Sequence, residues 1–337
     1  MRTAFGHSFD LSPGYLNTAT VGVPPATVAD SLVEVVNRWR TGGASATDFD
    51  GDVRLARKAW GALVGVGEGH VAAGGSVSQL VGLVAASVPD GTRVVTVPGE
   101  FTSLTFPFAA QGNRGVTVTE EADLLSKVDD YDLVAVSVVQ SSDGGVVDLE
   151  ALRASGKRVL LDVTQAAGWM PLELGWADWV VGACYKWLMS PRGAAWLALS
   201  PEALERTVPQ AANWYAGEDI WTSIYGLPLR LAGDARRLDL SPAWFSHYVA
   251  GIVLPWLASL DMLAVRDHCV GLVDGLLVAL GQAPRGSAIA TLDVPNAAEK
   301  LAAAGVRSSV RAGRVRISGH LYNTAEDIEL VLAALRG

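Results

Sequence analysis

VLLDVTQAAGWMPLELGWADWVVGACYKWLMSPRG, from Val159 to Gly193, is the stretch on which the reading of this chain turns. An apolar run closes on Asp162, Gln165 follows three residues later, and a second apolar run leads to Lys186, 24 residues beyond Asp162. A short Val/Leu run ending in a charged residue reads as a buried strand that delivers that residue to its carboxyl end. Two such strands would bring a carboxylate and an amine to one cleft. An amine held in a pocket forms a Schiff base with an aldehyde cofactor, and a carboxylate can keep a pyridine nitrogen protonated so that the ring draws electrons. A lone lysine reads as a solvated residue at a helix start. Here Tyr185, Trp187 and Leu188 flank it, and burial disfavours a lysine's charge, which suits a nucleophile that also carries protons.

The pattern around this segment repeats. Helices are expected at Pro25–Thr41, Asp50–Val64, Ser78–Val88 and Leu149–Ala154, and strands at Arg93–Val97, Gly115–Thr119, Leu133–Val138, Arg158–Asp162, Trp179–Ala183 and Ala194–Leu199. The strands are nearly continuous in their apolarity, as in a sheet covered on both faces, so the alternation implies an α/β fold with a mainly parallel sheet and helices on both sides. After about residue 240 come two helices, Ala243–Leu260 and Leu263–Leu280, then a short α+β region with strands near Ala288–Asp293 and Arg314–Ser318 and a last helix from Ala325. The expected division is a large cofactor-binding domain over residues 15–240 and a smaller α+β domain from residues 1–14 and 241–337.

These residues resemble the pyridoxal-phosphate (PLP)-dependent class V aminotransferase family, the fold type I group that holds cysteine desulfurases, kynureninases and isopenicillin N epimerase-like proteins. The resemblance runs from YLNTATVGVPP (Tyr15 to Pro25) to VRISGHLYNTAEDI (Val315 to Ile328) and centres on YKWLxxPRG. It implies that Lys186 carries PLP, Asp162 faces the pyridine nitrogen, and Gln165 hydrogen-bonds the phenolic oxygen. The phosphate is expected at Ala73-Gly74-Gly75-Ser76-Val77-Ser78-Gln79, a small-residue turn before an apolar helix, with Val77 giving a backbone N–H and Ser78 a hydroxyl. Many relatives have Ser-Gly-His before the lysine; here Ala183-Cys184-Tyr185 stands there, a departure that resembles kynureninases, in which a tyrosine hydroxyl takes over the phosphate contact, and it implies that Tyr185 is a phosphate ligand. Phe101 takes the place of a histidine that stacks on the ring, and it cannot relay a proton. Ser141 falls where relatives carry an asparagine near cofactor and substrate. Arg316, with Arg314 as competitor, is the candidate for gripping the substrate α-carboxylate. Asn17 lies in an N-terminal segment that closes over the site, and Trp214 in a loop that reaches a neighbouring subunit's site.

Composition narrows the remaining choices. Half of the 337 residues are hydrophobic, 18% are charged, and the net charge is −9. An acidic balance argues against a nucleic-acid surface, and no run is long and apolar enough for a membrane span. Cys184 and Cys269 make no disulfide framework and point to a reducing cytoplasm. Five scattered histidines show no metal-ligand spacing. The dinucleotide fingerprint GxGxxG is absent, which removes the nicotinamide-dependent oxidoreductase.

The resemblance further implies a cytoplasmic homodimer with shared sites, acting on an α-amino acid through an external aldimine. A persulfide-forming desulfurase is disfavoured because neither cysteine sits in a late Gly- or Ser-rich loop. The reading leans to Cβ elimination, a C–S or C–C β-lyase; class V aminotransferase, amino-acid epimerase and a non-catalytic PLP-fold binding protein are the alternatives.

Overall fold

The computed structural model describes residues 1–336. Its centre is a seven-stranded sheet in the order Val71–Gly74, Ala195–Leu199, Trp179–Ala183, Arg158–Asp162, Leu133–Ser137, Arg93–Thr96, Thr117–Glu120. The last five strands of that order are mutually parallel. Ala195–Leu199 runs against both its neighbours, so Val71–Gly74 points the same way as the parallel five. This is the mainly parallel sheet expected from the sequence.

The continuous apolarity of the strands has the anticipated cause. Val134 and Val136 enter one core with Trp60, Trp187 and Trp196, whereas Leu133 and Ala135 enter a second core with Leu80, Leu104 and Phe108. Alternate residues of one strand thus feed opposite faces, each covered by helices. A third core, built on Leu16, Val273, Leu277, Ile317 and Val331, supports a small antiparallel sheet ordered Ile289–Leu292, Arg314–Ser318, Ser309–Arg311. Among the described residues no single helix is long and apolar enough to cross a membrane.

Several elements differ from expectation. Val71–Gly74 is a strand, although VAAG looks like the entry to a loop, and Thr102–Ala109 is helical despite Pro107. Ala297–Ala303 is an additional helix, and Ser309–Arg311 an additional edge strand. The N-terminal chain joins the small sheet: the Leu16 N–H donates to the Arg307 carbonyl at 2.9 Å, and Ser318 N–H to the Leu16 carbonyl at 2.9 Å. From there residues 19–22 cross toward the large sheet.

Candidate active site

Five strand ends that point the same way converge. Gly75–Ser78 follow Val71–Gly74, Phe101 and Ser103 follow Arg93–Thr96, and Ser137 and Ser141 lie at and beyond the end of Leu133–Ser137. Asp162 ends its strand with Thr164 and Gln165 behind it, and Tyr185 and Lys186 follow Trp179–Ala183. All of these line one inner cavity, as ligand sites of open α/β sheets do. Outside it an outer cavity of about 560 Å³, walled in part by residues 19–22 and 189–192, shares Phe101, Ser141, Tyr185, Lys186 and Arg192 with the inner one.

Asp162 and Lys186 are both buried, at 4% and 6% exposure. Burial pushes the Asp162 carboxyl up to about 6, against the hydrogen bonds that it accepts from Thr164; the nearby Glu100 charge adds to the rise and Lys186 opposes it. Burial also brings the Lys186 amine down to about 8, while Asp162 pulls it up and Arg316 and Arg311 push it further down. Each group is moved toward its neutral form, which is the signature of charges held in a dry pocket.

Gln165 uses its whole amide. Its Nε2 donates to the Ala19 carbonyl and Ser141 Oγ, both at 3.0 Å, and its Oε1 accepts from Trp187 Nε1 at 2.8 Å. A phenolic oxygen would therefore take a donor over from Ser141. Phe101 is 43% exposed, and Lys186 Nζ stands 5.3 Å from its ring centroid, so the ring's free face lies beside the amine. Tyr185 places its ring 5.6 Å from Lys186 Nζ and 5.5 Å from the Arg192 guanidinium.

The turn before Val77–Ser87 is capped by Ser76, whose hydroxyl accepts from the Gln79 N–H at 3.4 Å. The first N–H groups of that helix have no acceptor within it and face an inner cavity that also holds the Ser78 and Tyr185 side chains and Arg192. An N-terminal turn with a nearby guanidinium suits a phosphate, and the buried lysine and aspartate suit an aldehyde and a pyridine nitrogen. The donor set fits PLP.

Arg316 is 1% exposed, and no carboxylate partners it among the described residues. It donates through Nη2 to Thr20 Oγ1 at 2.9 Å, through Nε to Ser309 Oγ at 3.1 Å, and through Nη1 to the Ser141 carbonyl and hydroxyl. Burial and the Arg311 charge lower it to about 10, so it stays cationic at neutral pH. Arg314, its competitor, begins the strand in an exposed position.

Asn17 and Trp214 line neither cavity of this chain. Asn17 is tied into the small sheet by its bridge to Ser318, and the cavity wall begins at Ala19; Thr20 is the residue of this segment that reaches Arg316. Trp214 packs on Tyr215 and Trp221, at 5.3 and 5.2 Å, both of which hydrogen-bond Asp50 at the start of the helix Asp50–Leu63, and it lines neither cavity in its own chain. Four contributors were not anticipated. Glu100 is buried and accepts from Ser137 N and Oγ, Gln140 Nε2 and Phe101 N at 2.6–2.8 Å, fixing the turn that carries Phe101. Thr164, Arg192 and Arg311 complete the walls. Arg192 stands within the YKWLxxPRG motif, which was the available signal; Arg311 had none.

Gly22 is required by close approach. A Cβ there would stand 1.8 Å from the Lys186 carbonyl oxygen, while the Gly22 N–H donates to the Tyr185 carbonyl at 2.9 Å. The N-terminal segment is thereby pinned to the lysine loop.

Comparison with known proteins places this geometry in context. No family model matches the sequence. The chain is 26% identical over 328 residues to an uncharacterized aminotransferase of Bacillus subtilis (strain 168), YcbU, a match that spans 89% of this chain and 85% of that protein. It is 25% identical over 321 residues to a probable hercynylcysteine sulfoxide lyase of Mycobacterium tuberculosis (strain CDC 1551 / Oshkosh), covering 83% of this chain and 78% of that one. A cystine C–S lyase in complex with its reaction product cysteine persulfide superposes with a TM-score of 0.84 at 17% identity, covering 96% of this chain and 97% of the other. A variant of the same lyase, with glycine covalently linked to its PLP cofactor, gives 0.83 over 96% of each chain, again at 17% identity. Such likeness speaks to architecture, and the architecture is that of PLP-dependent fold type I.

Proposed function

We propose that the protein is a PLP-dependent enzyme that acts on an α-amino acid and breaks a bond at its Cβ, releasing a sulfur or carbon leaving group. The observation that carries this reading is the cleft itself: Lys186 and Asp162, both buried and shifted toward neutrality, face one cavity beside a buried arginine, Arg316, that has no acid partner among the described residues. When bound, PLP supplies the aldehyde that takes up an amine and the ring that accepts electron density from Cα.

The chain's own residues define the rest. Asp162 is the residue that would hold a proton on the pyridine nitrogen. Arg316 would grip the α-carboxylate and so orient the bonds at Cα. Lys186 Nζ, neutral in an appreciable fraction near pH 7, takes the Cα proton, and its protonated form then returns a proton to the departing group. Phe101 has no proton to give, so the acid–base work falls to the lysine. For an S-substituted cysteine the balance is substrate plus water giving thiol, ammonia and pyruvate.

The lean to Cβ cleavage is supported by the lyase names of one relative and of a structural neighbour. Both cysteines are buried, and burial drives the Cys184 thiol up to about 12, so neither suits a persulfide carrier. A second reading, transamination, is favoured by the name of the Bacillus relative. The two separate by the fate of nitrogen: elimination releases ammonia with the keto acid, and transamination passes the amino group to an added keto acid. A panel of amino acids scored for thiol, ammonia and amino transfer decides between them. Borohydride treatment followed by peptide mass should place the pyridoxyl group on Lys186, and Lys186→Ala should remove it; the group on another lysine would refute the assignment.

The reading extends to a cytoplasmic homodimer. Tyr225 and Leu227, 86% and 90% exposed, with Trp39 at 62%, offer apolar surface for a second copy, and two unpaired cysteines suit a reducing compartment.

A further inference from the structure

The outer cavity is unevenly charged. Lys186, Arg192 and Arg311 line it with no carboxylate among the described residues, and the remaining wall is largely apolar, with Val21, Val28, Leu32 and Val249. A volume of about 560 Å³ lies within the range of pockets that enclose a sizeable ligand, more than a cysteine side chain fills. Three of the cations near the site have work to do in an amino-acid-cleaving PLP enzyme: Lys186 takes the cofactor, Arg316 the α-carboxylate, and Arg192 reaches the cavity that holds the Ser76–Ser78 turn. Arg311 is left over. It donates to the Val310 carbonyl at 2.8 Å and forms no ion pair among the described residues.

The small sheet sets its distance from Arg316. Ser309 is the register partner of Arg316, and Arg311 lies two residues further along the same strand. Directly paired residues share a face and strand residues alternate, so Arg311 and Arg316 rise from one face as diagonal neighbours, roughly 7 Å apart at their bases. Arg311 also pushes on the protons of both Lys186 and Arg316. An anion at the mouth would relieve that repulsion.

Resting on the assignment of this cleft to an amino-acid-cleaving PLP enzyme, we propose that Arg311 is a specificity-determining residue, and that the substrate is an α-amino acid bearing a second anionic group at the far end of an apolar side chain. Arg316 then holds the near carboxylate and Arg311 the distal one, with the apolar wall packing the methylenes between them.

The test uses two probes of equal shape, S-(2-carboxyethyl)-L-cysteine and its neutral amide, S-(2-carbamoylethyl)-L-cysteine, with PLP-loaded protein. Thiol release gives kcat/KM, and the change in cofactor absorbance on adding each amino acid gives Kd whether or not a bond breaks. A charge-assisted pair at a partly solvated mouth should favour the carboxylate by about tenfold. Arg311→Gln should bring that ratio close to one, and Arg311→Lys should restore most of it. Equal preference in the wild type overturns the inference, as does an Arg311→Gln variant that weakens both probes by the same factor, since that pattern belongs to α-carboxylate binding or folding. A protein that loads PLP at Lys186 and shows no preference refutes this inference alone; one that does not load PLP refutes the functional reading and this with it.

Discussion

Raising the pH of apoprotein mixed with PLP should speed the covalent capture of the cofactor by Lys186 up to about pH 8 and change it little above. Only the neutral amine attacks, so the neutral fraction sets the rate. Burial is the largest cause that brings Lys186 to about 8, with Arg316 and Arg311 adding to it and Asp162 opposing it. At pH 7 such an amine is roughly 10% neutral, whereas a solvated lysine near 10.4 is roughly 0.04% neutral, a difference of about two-hundredfold in attacking species. Stopped-flow absorbance across a pH series measures this directly, with the logarithm of the rate bending near 8. Asp162→Asn removes the charge that pulls the amine upward, so the bend should move below 8 even as turnover collapses for want of a protonated ring. A rate that keeps rising tenfold per pH unit through pH 10 would refute the reasoning, because it would show the amine to be solvated. An Asp162→Asn bend that moves upward would refute the coupling between the two groups.

Burial leads to two more expected outcomes. Replacing Cys184 and Cys269 together by Ala should cost about 1 kcal/mol apiece in stability and leave sulfur release per folded molecule in place, because both thiols are shut in the core; abolished release in a folded double variant would reinstate a persulfide route. Asp239 binds the buried Arg57 in two contacts, at 2.9 and 2.5 Å, and accepts from the Ala73 N–H at 2.7 Å, so it ties down the strand that leads to the Gly75–Ser78 turn. Asp239→Asn should destabilise the protein by about 3 kcal/mol in urea unfolding by leaving a buried guanidinium uncompensated, and a loss below about 1 kcal/mol would mean that solvent already screens the pair.

The parts of the site that could be read from the sequence are those that end an apolar run. Asp162 and Lys186 stand out because a strand covered on both faces must be apolar, so a charge at its end is conspicuous. Arg93–Thr96, Leu133–Ser137 and Trp179–Ala183 were legible for the same reason. Val71–Gly74 was not: VAAG has too little β-branched character, and it becomes a strand by pairing with Ala195–Leu199, a contact over a hundred residues away. The helix Thr102–Ala109 was hidden by Pro107, which bars a helix on propensity alone. Arg311 lies on a three-residue edge strand whose existence depends on Arg314–Ser318 beside it, so nothing local marks it. Trp214 was marked by a likeness in the local string, and within one chain it packs on Tyr215 and Trp221.

What unites the site is that its two central charges are held at a cost. Asp162 moved to about 6 and Lys186 to about 8 each correspond to about 3 kcal/mol lost from folding when both are charged. The signs differ. The raised carboxyl binds its proton more tightly in the folded chain, so its penalty is absent below about 4, grows as the pH rises to about 6, and stays complete above that. The lowered amine holds its proton less tightly when folded, so its penalty is complete below about 8 and fades toward the unfolded lysine value near 10.4. Between about 6 and 8 both penalties are in force. With PLP bound, Lys186 would give up its charge in the covalent link and Asp162 would face a ring cation, so both penalties would be offset together. The strain built into the apoprotein is thus largest at neutral pH, and it would become binding energy for a molecule that brings an aldehyde to Lys186 and a basic ring nitrogen to Asp162 in their shared cavity.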